Sequence, residues 1–204
     1  MRLALVMAMT LGCAGCMGSL LEPSGEAPEI YRLEVADAAG GAARLPLALG
    51  VARPRAAVSL DTERIAVVQA DNRFDYFTGI RWSEPAPQML QALVVRVLQS
   101  DGRYEVVVAA PNRVPADLLL DLELRRFEAV YAAGGATPSV RVEIQATLVD
   151  PRRVRRVSST VATSEVAAAD NRRDAVLDAY QRATTDAVHA LAAWLREVEP
   201  NAAQ

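Results

Sequence analysis

The stretch from Asp61 to Leu98 constrains the fold most, because two strands, a turn and a helix follow one another there. Residues 65–68 form a short apolar run rich in β-branched side chains, which predicts a buried strand. Asp71-Asn72 is a turn signal. Three aromatic residues within 74–77 then indicate a second strand.

An amphipathic helix is expected at the end of this stretch. Trp82-Ser83-Glu84-Pro85 is typical of a helix start, with Ser83 as the expected N-terminal cap. Apolar residues then recur at helical spacing and form one face. They are Met89, Leu90, Leu93, Val94, Val97 and Leu98. Asp101-Gly102 is expected to end the helix.

Shorter strands are expected on both sides of this stretch. Residues 29–35 and 44–51 each predict a strand, and Pro46 favours an edge position or a bulge for the second. Arg53-Pro54-Arg55 ends that strand. Residues 104–109 predict a strand directly after the helix.

Three longer strands are expected to form an antiparallel meander with one solvated face. Leucines alternate with charged residues from residue 117 onwards, and the strand continues to residue 131. The alternation changes near Arg126, which predicts a bulge. Residues 140–148 alternate cleanly, so this half-buried strand should pair antiparallel with the one before it. Residues 157–166 predict the last strand.

A final helix is expected over about residues 172–198, capped by Asp170 or Asn171. Its apolar stripe is Val176, Ala179, Tyr180, Ala183, Ala187, Leu191, Trp194 and Leu195. The order of elements predicts an α+β fold: a mixed, mainly antiparallel sheet with two helices packed on one face.

The first sixteen residues have the pattern of a secretory signal, with Arg2 followed by an apolar segment over 3–11. Both cysteines of the chain, Cys13 and Cys16, lie in this segment. Ala14-Gly15-Cys16 resembles a bacterial lipobox, in which the cysteine is acylated and becomes the new N-terminus. Cys16 is therefore the expected lipidation site. Cys13 is the alternative site, and a plain cleaved signal is a further alternative.

This pattern divides the chain into four segments. We expect a lipoprotein signal peptide over 1–15, a lipidated flexible leash over 16–28, one α+β domain over 29–198 and a disordered tail over 199–204. Burying an acyl chain contributes about 0.8 kcal/mol per methylene, so two or three chains hold a protein on a bilayer. The domain should therefore lie in the periplasm. Met17 stands where an aspartate would direct retention, which favours the outer over the inner membrane.

Nothing in the sequence points to catalysis, and no cofactor or metal is expected. His189 is the one histidine, and a lone helical histidine is typical of a surface position. Asp121 and Glu123 alternate on a solvated strand face and are assigned no role. A periplasmic hydrolase using Ser83 or His189 is the weakest alternative. The net charge of −3, with every basic residue an arginine, points to no nucleic-acid partner.

Two clusters are candidates for contact with lipid or a partner. The aromatic cluster consists of Phe74, Tyr76, Phe77 and Trp82. It either fills the core under the first helix or forms a partly exposed surface. The arginine cluster consists of Arg152, Arg153, Arg155 and Arg156. It either lies on a solvated turn or contacts anionic headgroups or an acidic partner.

Three segments resemble the PqiC-type family of ABC-transport auxiliary lipoproteins. The first is Tyr31-Arg32-Leu33 after the lipobox, and the second is the run from Leu60 to Val67 (LDTERIAV). The most specific segment is Tyr76-Phe77 followed by Arg81-Trp82-Ser83-Glu84-Pro85 and Met89-Leu90. The resemblance covers nearly all of the chain after the signal, but Cys13 departs from the usual lipobox.

The resemblance implies a non-enzymatic envelope lipoprotein, and adds what the residues alone do not supply. Members accompany ABC transporters and MCE-domain proteins that move lipids between the inner and outer membranes. An MCE-domain protein and ABC subunits are therefore the expected partners, with membrane contact through the lipid anchor; a homo-oligomer is left open. The alternative is a structural lipoprotein of another envelope assembly, such as a secretion or export machine.

Overall fold

The computed structural model describes residues 27–37, 40, 43–113 and 115–198. The predicted signal peptide, both candidate lipidation sites and the predicted tail lie outside the described residues, as does most of the leash.

Nine strands and two helices follow one another in these parts of the chain. They are β1 (Glu29–Tyr31), β2 (Leu45–Ala52), β3 (Arg55–Ala56), β4 (Arg64–Val68), β5 (Phe74–Trp82), α1 (Ala86–Asp101), β6 (Tyr104–Ala110), β7 (Leu118–Val130), β8 (Ser139–Asp150), β9 (Arg155–Ala167) and α2 (Arg173–Glu197). The two-residue strand β3 is the one element that the sequence did not predict.

The sheet is built around β7. One edge of β7 pairs with β8 in an antiparallel ladder, and β8 pairs in the same way with β9. The opposite edge is shared by β2, β3 and β4, which follow one another along β7 and are all parallel to it. The sheet continues from β2 to β6, and from β4 through β5 to β1. The longest ladders are antiparallel, so the predicted mixed, mainly antiparallel sheet is confirmed.

The core lies between this sheet and the two helices. Residues of β7 and β8 alternate as predicted: Leu120 and Ile144 point into the core, whereas Asp121 and Gln145 lie on the opposite face. Helix α1 packs on β2 and β6, and α2 packs on β8 and β9. Each fully buried leucine or isoleucine contributes about 1.5–3 kcal/mol through removal of its apolar surface from water.

The predicted bulge in the longest strand is confirmed. The register between β7 and β8 shifts between Leu124 and Arg126, which leaves Arg125 without a direct partner. The shift turns Phe127 into the core in place of the leucine series. This is why the alternation in the sequence changes phase at this point.

The predicted cap of α1 is wrong. Strand β5 runs to Trp82, so Ser83 lies in the connection and its backbone N–H donates to the carbonyl of Tyr31 at 2.8 Å. Pro85 is the N-terminal cap residue, and no side chain caps the helix. The predicted end is correct, because Gly102 adopts the left-handed conformation that commonly ends helices (φ 72°).

The predicted caps of α2 are also wrong. Arg172 occupies the cap position, and no side chain bonds to the first turn. Asp170 instead accepts the backbone N–H of Arg172 at 2.7 Å, and Asn171 accepts the hydroxyl of Tyr131. Both side chains are therefore bound just before the helix begins.

Neither helix in the described ranges is long and apolar enough to cross a membrane.

Candidate functional site

The aromatic cluster of β5 is divided between the core and the surface. Trp82 is 1% exposed, whereas Phe74 is exposed at the start of the strand. Tyr76 and Phe77 are half-buried and pack against the core. Of the two alternatives for this cluster, burial in the core describes Trp82 and partial exposure describes Phe74.

Trp82 belongs to an aromatic group that joins the sheet to α2. Its ring centroid lies 5.7 Å from that of Phe127 and 5.2 Å from that of Tyr180, and the latter two are 5.3 Å apart. The hydroxyl of Tyr180 donates to the carbonyl of Ala66 at 2.6 Å. Burial raises the pKa of Tyr180 well above its usual value, so this hydroxyl stays a donor. Trp82 therefore packs against α2 through Tyr180.

The exposed part of the cluster is held in place by polar contacts. Phe74 packs edge-on against Tyr76, with ring centroids 5.4 Å apart. The guanidinium of Arg64 lies 3.5 Å above the ring of Tyr76, whose hydroxyl donates to the carbonyl of Ser59 at 3.0 Å. This arrangement fixes Tyr76, and Phe74 remains 39% exposed.

The four arginines surround the turn between β8 and β9. We name residues 152–156 the arginine hairpin. The Asp150 carboxylate accepts the backbone N–H groups of Arg152 and Arg153 at 3.0 and 3.1 Å, which fixes the turn. Val154 follows in the left-handed region (φ 51°) and is 89% exposed. An apolar side chain thus projects at the tip among basic residues.

Carboxylates neutralise only half of the arginine hairpin. Arg152 forms an ion pair with Asp117 at 2.8 Å, and Arg153 lies 3.8 Å from Asp150. Arg155 and Arg156 form no ion pair with the described residues. The hairpin therefore presents two uncompensated charges beside Val154, an arrangement suited to an anionic or acidic partner.

The arginine hairpin lies far from the point where the chain enters the fold. Leu119 of β7 pairs with Val149, next to the hairpin. Strand β1 lies beyond β4 and β5, and β4 pairs with residues 128–130 at the other end of β7. At about 3.3 Å per residue, these two ends of β7 are roughly 30 Å apart.

A second feature, which the sequence did not reveal, is a charged depression on the sheet face opposite the helices. Arg126 and Arg141 line two shallow cavities of about 320 and 290 Å³, and Phe74 lines the second. Glu128 lies at its floor, 3.2 Å from Arg126. Burial raises the pKa of Glu128, although Arg126 opposes this shift. The alternating pattern predicted only a solvated face, because the depression is lined by residues of four strands that are distant in sequence.

The other residues considered for chemistry have structural partners. His189 Nε2 lies 2.9 Å from the carbonyl oxygen of Ala36. Asp121 pairs with Arg55 at 3.1 Å, and Glu123 lies 3.6 Å from Arg125. Within the described ranges, no group of three His, Cys, Asp or Glu side chains could hold a metal ion.

Two helices on one face of a mixed, mainly antiparallel sheet define a protein of the α+β class. The family model described as ABC-type transport auxiliary lipoprotein component matches residues 31–192, and the chain belongs to that family. This confirms the resemblance found in the sequence. The protein is an auxiliary lipoprotein of ABC-type transport, which places it in the cell envelope in association with ABC transporter systems.

Two solved structures share the fold of this chain. A crystal structure from Xanthomonas campestris, of the family named DUF330, is 28% identical, with a TM-score of 0.79; the match covers 86% of this chain and 98% of that one. A hypothetical protein from Chlamydia trachomatis shares the fold at 9% identity and a TM-score of 0.55, over 76% of this chain and 98% of that one. No protein with a curated description matches the chain.

Proposed function

We propose that the protein is a non-enzymatic, lipid-anchored component of an MCE/ABC-type intermembrane lipid transport system, held on the periplasmic face of the outer membrane. The family match over residues 31–192 carries this proposal. That match supports an association with ABC transporter systems. The MCE-domain partner, the lipid cargo and the assignment to the outer membrane are our extension of it, based on the sequence resemblance.

The N-terminal sequence supports the proposed anchor. Signal peptide 1–15 is removed, Cys16 is acylated with palmitate-type chains, and residues 16–28 link the anchor to the domain at 29–198. Residues 199–204 form a tail. Thirteen linking residues span at most about 45 Å when fully extended. The domain is thus kept close to the membrane surface.

The arginine hairpin supports a protein contact on the side away from the anchor. The chain enters the fold at the opposite end of β7, so the hairpin can face the periplasm while the entry point faces the outer membrane. Arg155 supplies uncompensated charge, and the neighbouring Val154 supplies an exposed apolar contact. We assign this tip to an acidic segment of the transport partner, and Phe74 with the exposed edges of Tyr76 and Phe77 to a secondary contact. Trp82 is excluded because it is buried.

Crosslinking in intact envelopes tests the proposed partners. The tagged, full-length protein is crosslinked mildly, extracted in detergent and captured, and the captured proteins are identified by mass spectrometry. We expect an MCE-domain protein and its ABC subunits. Recovery of secretion or export components alone would replace this proposal with the structural-lipoprotein alternative.

Charge reversal tests the role of the hairpin. Arg155→Glu should lose most of the captured partner. The matched control is Arg32→Glu, which reverses one exposed arginine of another segment and should capture as much partner as the unmodified protein. Equal capture by the two variants would show that the hairpin is not the contact.

Acylation is tested separately. Cys16→Ser should leave the precursor unprocessed and abolish labelling by a palmitate analogue, whereas Cys13→Ser should be processed and labelled normally. The reverse result would move the anchor to Cys13.

A further inference from the structure

Strand β9 is a long edge of the sheet. It contains 13 residues, and within the described part of the chain it pairs only with β8. Arg182 donates to the carbonyl of Ala167, its last residue, at 3.4 Å. Residues 157–164 carry no charge, proline or glycine. Edge strands of soluble proteins are usually short or protected, because unpaired backbone groups pair readily with another strand.

The other edge strands, β1 and β6, are shorter than β9. Strand β1 has three residues. Strand β6 is shorter, with seven residues, and α1 packs against it. An open stretch long enough for another strand is therefore found at β9.

The backbone of Val161 points outward from this edge. The side-chain amide of Gln145 donates to the carbonyls of both Thr160 and Ala146, at 2.9 and 3.2 Å, so both carbonyls lie between β8 and β9. Backbone groups alternate in direction along an antiparallel strand. The N–H and C=O of Val161 therefore face the free edge, and its side chain is 43% exposed.

We propose that β9 pairs with β9 of a second copy of the chain, antiparallel about a twofold axis at Val161. Such pairing continues the sheet across both copies, and it buries the two valines against each other. A second copy fits this edge better than an unrelated strand because of where the charges of β9 lie.

The charges at the two ends of β9 are complementary in this register. With Val161 on the axis, Ser159 faces Thr163 of the other copy. The register between β8 and β9 shifts at Val157, because Leu148 pairs with Ser158 and Val149 with Arg156. Beyond this bulge, Arg156 therefore faces Glu165 of the other copy, on the same face of the sheet. Glu165 lies 3.0 Å from Arg141 of its own chain and is half exposed, so it can pair with both arginines. The symmetry produces this attraction twice.

Helix α2 leaves room for the second copy. The hydroxyl of Ser164 lies 3.3 Å from the carboxylate of Asp186, which places α2 along β9. On the exposed side of α2, Asp186 is followed by Ala190 and Ala193, which lie in the direction of Val161. Small side chains there allow the two α2 helices to approach to the usual packing distance of about 8–10 Å.

Cysteine crosslinking tests the axis. Facing residues across an antiparallel pair have Cα atoms about 5 Å apart, within reach of a disulfide. Full-length Val161→Cys protein is oxidised in intact envelopes, extracted and separated without reductant, beside the unmodified chain. The matched control is Val106→Cys on the edge strand β6, where the valine is similarly exposed at 37%.

We expect a disulfide-linked dimer of the chain for Val161→Cys and none for the control or the unmodified chain. Equal dimer from the two cysteine variants, no dimer from Val161→Cys although its thiol reacts with maleimide, or a product containing a different protein would overturn the proposal.

Charge reversal tests the register. Arg156→Glu should raise the dissociation constant of the detergent-purified dimer about tenfold, because two attractions become repulsions. Glu165→Arg should also raise it, and this change removes the ion pair with Arg141 as well. The double variant should restore it, which shows that neither single change acts by unfolding. Glu105→Arg on β6 is the control. Single variants that dimerise like the control, or a double variant that is not restored, would overturn the proposed register.

Discussion

Arg196, in the last turn of α2, donates from Nε to the carboxylate of Asp101, the last residue of α1, at 2.7 Å. The two partners are unequally buried: the side chain of Asp101 is 2% exposed, whereas that of Arg196 is 33% exposed. The bond joins the C-terminal ends of two helices that the sequence places 95 residues apart. Removal of Arg196 and removal of Asp101 should therefore lower the free energy of unfolding by different amounts.

Arg196→Met should destabilise the protein more than Asp101→Asn. The first leaves a buried carboxylate without its partner and should cost about 3 kcal/mol. The second leaves an arginine that can reach water and keeps a neutral acceptor, so it should cost about 1 kcal/mol. Urea unfolding monitored by circular dichroism measures both values. Equal costs would show that Asp101 is not desolvated by the fold.

Tyr180→Phe should destabilise the protein by about 1–2 kcal/mol, because the carbonyl of Ala66 loses a buried donor while the packing of the ring is kept. Tyr131→Phe is the matched control, since its hydroxyl bonds to the exposed Asn171 and should cost less. Unfolding free energies of the two variants provide the comparison. The near-ultraviolet circular dichroism of the tryptophans, Trp82 and Trp194, should be retained in both, and its loss in Tyr180→Phe would mean that the aromatic group had repacked.

The periodic parts of the fold were predictable from the sequence. Alternation in β7 and β8 predicted their pairing, and the phase change near Arg126 predicted the bulge, because one buried sheet face imposes a period of two. The helix faces followed in the same way from a period of 3.6. Strand β3 was missed because two residues show no period, and because its partner Glu123 is distant in sequence.

The site was less predictable, since it depends on contacts between distant segments. The four arginines were found in the sequence, but it could not show that Asp117 neutralises Arg152 while Arg155 stays unpaired. Trp82 lies within two residues of the exposed connection to α1, and its burial depends on Tyr180, 98 residues further on. The caps failed for a related reason: Ser83 and Asp170 precede their helices by more than one residue, and each local backbone position is fixed by tertiary pairing.

Gly102→Ala should destabilise the protein by about 1 kcal/mol through backbone strain alone. Gly102 has φ 72°, and a Cβ added there would meet nothing within 4 Å. The left-handed conformation costs an L-residue about this amount. Gly102→Asn is the matched control and should cost less, because asparagine tolerates this conformation. Thermal unfolding of the two variants measures the difference. An equal loss in both would point to lost packing instead of strain.

Glu128→Gln should change how stability depends on pH. Burial raises the pKa of Glu128 above its ordinary value of 4.5, so the folded state holds this proton more tightly than the unfolded state does. The resulting stabilisation is complete below pH 4.5 and is lost as the pH rises through the folded pKa. The variant carries no such proton. Its unfolding free energy, relative to that of the unmodified protein, should therefore be higher at pH 7 than at pH 4.

Urea unfolding at several pH values between 4 and 7 measures this difference. Glu105→Gln on β6 is the matched control for the loss of one carboxylate from an exposed strand position. The ion pair of Glu128 with Arg126 acts in the opposite direction, because it favours the carboxylate. A relative stability of Glu128→Gln that falls with rising pH would therefore mean that Arg126 outweighs burial and that the floor of the charged depression is open to water.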